Sequence, residues 1–230
     1  LILNMGKKNK IRRFEENKVL PNVIQPTREE ALAGFHLKGK WRDEIFKNDN
    51  PIVLELGCGK GEYTVGLGKA FPKKNHIGVD IKGARFWFGA KEAHENGMQN
   101  IAFLRTQVEL IDGFFNENEV DEIWITFPDP QIKYKRTKHR LTHPDFLARY
   151  KKILKPGGIV HLKTDSEFLH GYTLGYLQGA GHEIITAHHD IYGAPEYDPN
   201  TPLLREIQTY YEGLFSAKGK TITYIKFRIK

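Results

Sequence analysis

The chain has 230 residues, 40% of them hydrophobic and 12% aromatic, and its 35 Lys and Arg against 28 Asp and Glu give a formal net charge of +7. That composition excludes a chain disordered throughout, and no apolar run approaches the roughly 18 residues of a membrane span. One cysteine, Cys58, excludes an internal disulfide and a cysteine-based zinc site, and it fits a reducing compartment.

The positive surplus is concentrated. Residues 6–13 (GKKNKIRR) and 131–140 (QIKYKRTKHR) each hold five basic residues and no acid, and the remainder of the chain is mildly acidic at −3. Two dense positive patches on an acidic body attract polyanions by long-range field and counterion release. The start, Leu-Ile-Leu-Asn, is apolar for three residues only and its charges follow rather than precede it, unlike a signal peptide. The expectation is a soluble cytoplasmic protein with no membrane segment, a monomer or homodimer.

In chain order, residues 1–26 show no sustained period, are basic and end at Pro21 and Pro26, so they read as a flexible arm before a domain spanning 27–230. Thr27 with Glu30 forms a capping box that opens a short helix to about Gly34. A second short helix is expected over Lys40–Phe46. From Pro51 a repeating pattern begins. Short apolar runs predict strands at Ile52–Leu56, His76–Val79, Ile101–Leu104, Val120–Thr126, Ile159–Lys163 and Glu183–Ala187, with an alternating strand at Thr221–Ile229. Helices are predicted over Gly61–Phe71, Gly83–Asn96, Pro144–Leu154 and Ser166–Gln178. Strands alternating with helices imply an α/β fold, a mostly parallel sheet with helices on both faces. The last two strands lack an obvious helix between them, which an antiparallel pair at one edge accounts for.

Glu55-Leu-Gly57-Cys-Gly59-Lys-Gly61 follows the first predicted strand of that series and opens a helix. Its spacing is GxGxG, not the dinucleotide GxGxxG. A pyrophosphate ordinarily sits on such a helix N-terminus, but Glu55 repels phosphate and suits a cationic ligand. S-adenosylmethionine, with an ammonium, a sulfonium and no phosphate, fits that electrostatics better than a nicotinamide dinucleotide. Asp80 ends the next strand, where a carboxylate can accept from both ribose hydroxyls. The alternative is a plain strand-to-helix turn with Asp80 as a helix cap.

Val120–Thr126 runs into Phe127-Pro128-Asp129-Pro130. Ligands of open parallel sheets sit outside the carboxyl ends of strands, so Asp129 is expected at a substrate or methyl-acceptor site. A carboxylate that only organises its own turn is the other reading. Lys133, Lys135, Arg136, Lys138 and Arg140 follow, with Tyr134 and His139 among them. A basic run is usually a solvated face, but beside a ligand crevice it would grip a phosphate backbone. Adjacent histidines in His188-His189-Asp190 point apart on a strand, so no metal is expected. Cys58 reads as packing of a small side chain rather than a nucleophile. Phe86–Phe88 reads as core and helix surface, and Tyr192 and Tyr197 as turn packing before base stacking.

Glu55–Gly61, the FPDP-plus-basic segment, Lys163-Thr-Asp165 and Thr209-Tyr-Tyr-Glu212, in that order, resemble the bacterial tRNA (guanine-N7-)-methyltransferase family over roughly residues 27–230. The resemblance implies a Rossmann-like class I methyltransferase fold, a seven-stranded sheet of six parallel strands and one antiparallel strand at the edge. It implies S-adenosylmethionine as cofactor and the variable-loop guanosine of tRNA, position 46, as acceptor. By the same resemblance Glu55, Gly57, Gly59, Gly61, Asp80 and Asp129 contact the cofactor. Gln107 stands where the family usually has the acid that meets adenine. Asp129 is the catalytic acid. Lys133, Asp165, Thr209, Tyr210, Tyr211 and Glu212 meet the substrate, and the basic run, read from its charge alone, makes Lys135, Arg136, Lys138 and Arg140 the expected grip on the tRNA backbone. The family's aromatic after FPDP is Gln131 here. Competing readings keep the methyl donor with another RNA, a small molecule or a protein as acceptor, or make the chain a non-catalytic RNA-binding protein on the same scaffold.

Overall fold

The computed structural model describes residues 2–193 and 201–230, which fall into two units, one ending at Asn116 and one starting at Glu117. The first unit begins with helix α1 (Ile2–Val19) and strand β1 (Val23–Ile24). The stretch expected as an arm therefore carries regular structure, because its C-terminal half has a docking face. Asn17 is buried and donates to the Gly83 carbonyl at 2.9 Å, and the Arg13 guanidinium lies 4.3 Å from the Phe88 ring centre. β1 pairs in parallel with β4 (Ile101–Leu104). The strand is too short for a period to show, and it adds one strand to those expected.

Helix α2 (Arg28–Ala33) starts at the predicted capping box, with Glu30 N donating to Thr27 Oγ1 and Thr27 N donating to the Glu30 carboxylate. Two orphan helix-end donors are thereby satisfied reciprocally. The helix expected at Lys40–Phe46 is instead a π-helical turn, Trp41–Phe46. Aromatic packing holds it: Trp41 stacks on Phe115 at 5.1 Å and its Nε1 donates to the Phe114 carbonyl, while Phe35 meets Phe114 edge-on. Each such ring pair adds about 0.5–1.5 kcal/mol beyond area burial.

β2 (Ile52–Leu56), β3 (Asn75–Val79) and β4 run parallel, so within this unit the strand order is β1-β4-β3-β2. β2 and β3 are buried along their whole length, and β2 accordingly reads as a near-continuous apolar run without alternation. Helices α3 (Glu62–Ala70) and α4 (Gly83–Glu95) supply the crossovers. Phe103 on β4 fills the space left by three glycines. A Cβ on Gly61, Gly78 or Gly89 would come within 3 Å of its ring. α4 thus sits close enough for Gly89 N to donate to the Lys60 carbonyl at 2.9 Å.

The second unit holds β5 (Val120–Thr126), α5 (Pro144–Ile153), β6 (Leu154–Thr164), α6 (Glu167–Gly179), β7 (Glu183–His188), α7 (Thr201–Glu206), α8 (Tyr210–Ser216) and β8 (Thr223–Arg228). β5 and β6 are parallel, and the order is β5-β6-β8-β7, with β8 antiparallel to both neighbours. The antiparallel strand therefore lies between β6 and β7, one place in from the edge. Its sequence accounts for this: Thr223, Tyr224, Ile225 and Phe227 are all buried, too much apolar surface for an edge. β6 begins at Leu154, five residues earlier than its apolar core implies, and Gly157 turns it with φ 77°. Among the described residues no helix is long and apolar enough to cross a membrane.

Candidate functional site

In the first unit the turn after β2 is made by Gly57, Gly59 and Gly61, with φ of 77°, 57° and 79°. This left-handed backbone is accessible to glycine at no steric cost. Gly57 N and Cys58 N both donate to the Val79 carbonyl, which ties the turn to the end of β3. Asp80 then closes it: Oδ2 accepts from Gly59 N at 3.0 Å and Oδ1 from Lys82 N at 2.7 Å. Each carboxylate oxygen has two acceptor positions, so Asp80 can anchor the turn and still accept from a ligand. Beside Gly59 a Cβ would meet nothing within 4 Å, so the cradle is open there. Glu55 is buried under the turn and accepts from Thr64 Oγ1.

Cys58 reports the field inside this turn. Burial first, and then the charges of Glu55 and Asp80, push its thiol well above the usual range. Its side chain belongs to the buried cluster that holds Val65, Phe86 and Phe103. A turn lined by two carboxylates disfavours a phosphate and favours a cation, so the donor set fits an ammonium–sulfonium ligand. Gln107 lies exposed at the N-cap of a 3₁₀ turn (Val108–Gly113) and makes no capping bond with its side chain.

In the second unit Phe127-Pro128-Asp129-Pro130 leaves β5 between two left-handed residues, Phe127 and Gln131, each with φ 46°. Non-glycine residues pay about 1–3 kcal/mol for such backbone, and strain of this kind clusters at functional sites. Asp129 is exposed, and its Oδ1 accepts from Gln131 N at 3.0 Å. Asp129 thus organises its own turn and leaves its carboxylate exposed. Asp129, Gln131, Lys133, Lys135 and Arg136 line one open groove of about 460 Å³. The basic residues ride on a 3₁₀ turn, Tyr134–His139, with Lys133, Lys135, Arg136 and Lys138 exposed and Tyr134 92% exposed.

Arg140 departs from expectation. It is only 5% exposed, donates from Nε and Nη2 to the Gln131 carbonyl, and packs over Phe168 and Tyr172 at 4.7 and 4.3 Å. Its charge is spent inside the fold, stapling the Asp129 loop to α6, and not on a phosphate. Gln131, in the place of the family's aromatic, bonds to Arg136 Nε through its Oε1.

Asp165 follows β6 and is paired with Lys220 at 2.6 Å. Thr209 caps α8 by accepting from Glu212 N at 3.1 Å. Tyr210 and Tyr211 are exposed and meet edge-on at 5.8 Å, but Glu212 is fully buried. Its Oε2 accepts from Lys163 Nζ and its Oε1 from Tyr192 Oη, both at 2.8 Å. Burial and the bond to Glu212 push the Tyr192 phenol up to about 12. Lys220 carries no signal in the sequence, while Lys163 enters there only within the Lys163-Thr-Asp165 motif and Tyr192 only as turn packing before base stacking. The available signal for Lys163 was a lysine at the end of the predicted buried strand Ile159–Lys163. Tyr197 lies outside the described residues.

A family described as "Putative methyltransferase" matches residues 49–225. A tRNA (guanine-N(7)-)-methyltransferase of Christiangramia forsetii is 66% identical over 227 residues, covering 98% of this chain and 100% of the relative. Enzymes of the same name from Bacteroides fragilis and Clostridium novyi are 51% and 36% identical, over 97% and 84% of this chain and 86% and 87% of theirs. Among solved structures, the 16S rRNA methyltransferase KamB superposes with a TM-score of 0.62 at 12% identity, covering 82% of this chain and 92% of its own. An antibiotic-related methyltransferase superposes at 0.58 and 16% identity, over 80% of this chain and 90% of its own. These two share the methyltransferase fold, an α/β Rossmann-like architecture. By the extent and identity of its sequence relatives, the chain belongs to the tRNA (guanine-N(7)-)-methyltransferase family.

Proposed function

We propose that the protein methylates N7 of a guanine in tRNA, the variable-loop guanosine, with S-adenosylmethionine as methyl donor. The observation that carries this reading is the groove in which Asp129 lies with Lys133, Lys135 and Arg136. A carboxylate for a base edge and cations for its phosphates there share one surface. Bound S-adenosylmethionine supplies a methyl group activated by its sulfonium.

Glu55, Gly57, Gly59, Gly61 and Asp80 hold the cofactor, Asp80 through the ribose hydroxyls and the glycine turn by close backbone approach, with Gln107 as the adenine contact. Guanine N7 has an in-plane lone pair and no proton, so no residue acts as base. The chain's task is placement of the nucleophile. Methylation leaves the purine cationic, and Asp129 stabilises that charge or accepts from the N1–H and N2–H₂ edge. Lys133, Lys135, Arg136 and Lys138 hold the phosphates, and Asp165, Thr209, Tyr210 and Tyr211 border the extruded base.

Asp129→Ala should lower methyl transfer to unmodified tRNA transcript by at least about 100-fold. Affinity for that tRNA should change by less than about threefold. The assay uses labelled methyl donor followed by location of the labelled nucleotide. Turnover near that of the unmutated protein would sink the role of Asp129, and label found only outside tRNA would sink the acceptor.

A further inference from the structure

Lys163 is a lysine with no solvent exposure, a rare placement for an ammonium. It is fully buried on β6, and its ammonium donates to Glu212 Oε2 at 2.8 Å, to the Leu204 carbonyl at 2.5 Å and to the Ile207 carbonyl at 3.1 Å. Three donors thus meet three acceptors. Burial pulls the Lys163 pKa down, and the Glu212 carboxylate holds it up against that pull. A buried ion pair is weak evidence for stability, because desolvation consumes the Coulombic gain. What it supplies is a single geometry, since charge separation inside the core is costly.

That geometry joins the pieces of the proposed acceptor side. The Leu204 carbonyl belongs to α7, Ile207 follows that helix, and Glu212 sits in the first turn of α8. Tyr192 holds the second Glu212 oxygen and itself accepts from Gln208 Nε2 at 2.9 Å. On its other side Lys163 meets the Asp129 loop. Its carbonyl accepts from Phe127 N at 2.8 Å, and its Nζ lies 5.8 Å from the Phe127 ring centre. Phe127, the left-handed residue that launches the loop, also leans on Phe215 of α8 at 6.3 Å.

We propose that Lys163 and Glu212 form a positioning pair. It locks α8, the end of α7 and the strained start of the Asp129 loop into one arrangement, and Glu212 acts through Lys163 rather than by touching guanine. The proposal rests on the tRNA-methyltransferase reading. It differs from a merely structural role in where its effect falls: turnover on tRNA, not cofactor binding.

The test is a double-mutant cycle of Lys163→Gln, Glu212→Gln and the double variant on the full chain. It measures kcat and KM for tRNA, Kd for S-adenosylmethionine and the melting temperature. Each single change strands a buried charge, so kcat should fall by about 100-fold, the scale of an ångström-level misplacement. Cofactor Kd should stay within about twofold. The Gln–Gln pair keeps a donor facing an acceptor without charge, so it should recover at least tenfold over either single variant. Were Glu212 the base contact, the double variant would be no better than Glu212→Gln, and that result overturns the pairing. So does a Lys163→Gln variant with unaltered kcat. If the single variants do not fold, the double variant decides alone. Turnover within about tenfold of the unmutated protein supports positioning, and cofactor binding without transfer refutes it. Unmutated protein that labels no tRNA would instead defeat the functional reading, an outcome distinct from additive single effects.

Discussion

Single residues here gain their roles from their surroundings more than from their type. Arg140 and Arg136 lie four apart in the same basic run. One is packed between Phe168 and Tyr172 and the other lines an open groove. Lysine behaves likewise: Lys133 is exposed, while Lys163 is buried against Glu212. His170 gives a prediction at this scale. It is 1% exposed, and burial first, then the charge of His189, lower its pKa. Below the ordinary histidine pKa of about 6.5 the unfolded chain takes up a proton that the folded chain resists. Stability should therefore be undiminished above pH 6.5 and fall as pH drops below it. His170→Gln should flatten that loss in urea melts at pH 7.5 and pH 5.5, and an unchanged difference would remove His170 as its source.

At the scale of elements, the glycine turn is closely packed because a helix is pressed onto it. α4 reaches the glycine turn through the Gly89 N to Lys60 carbonyl bond, and Phe103 occupies the volume that a Cβ on Gly61, Gly78 or Gly89 would take. In Gly89→Ala the new Cβ would stand 2.9 Å from the Lys60 carbonyl oxygen and 2.9 Å from Phe103. Overpacking of this kind costs about 1–3 kcal/mol. At about 2–4 °C per kcal/mol for a chain of this size, the melting temperature should fall by several degrees and S-adenosylmethionine affinity with it. Scanning calorimetry and titration calorimetry check the two effects. Strand positions were legible because buried strands are short apolar runs: Ile52–Leu56, Ile101–Leu104 and Val120–Thr126 appear with the bounds expected. The π character of the turn at Trp41, expected as an ordinary short helix, and helices α1, α7 and α8 were not, since tertiary contacts and not local period stabilise them.

For the molecule as a whole, charge is the property that the proposed function uses. The exposed cations of residues 133–138 form a positive field in the second unit, and in the first unit the acids Glu55 and Asp80 form a negative one around the glycine turn. Neutralising Lys133, Lys135 and Arg136 together removes up to three phosphate contacts. The slope of log K for tRNA against log salt should become shallower by about 2, at roughly 0.7–0.9 per contact. Catalysis at saturating tRNA should change far less than affinity. Filter binding between 50 and 200 mM salt measures the slope, and a slope unmoved by the triple change would place the RNA grip elsewhere.

The sequence by itself determined the alternation of strands and helices, the glycine turn with Glu55 and Asp80, and Asp129 followed by cations. These are local patterns, written in residues close together along the chain. Tertiary structure alone decided which charges are available. Lys163 meets Glu212 across 49 residues, and Arg140 meets Phe168 across the start of α6. Whether a charged side chain faces solvent or a partner depends on what distant segments bring to it, and desolvation makes that difference large. The same reason places β8 between β6 and β7, since only in the folded sheet can its buried Tyr224, Ile225 and Phe227 find apolar neighbours on both sides.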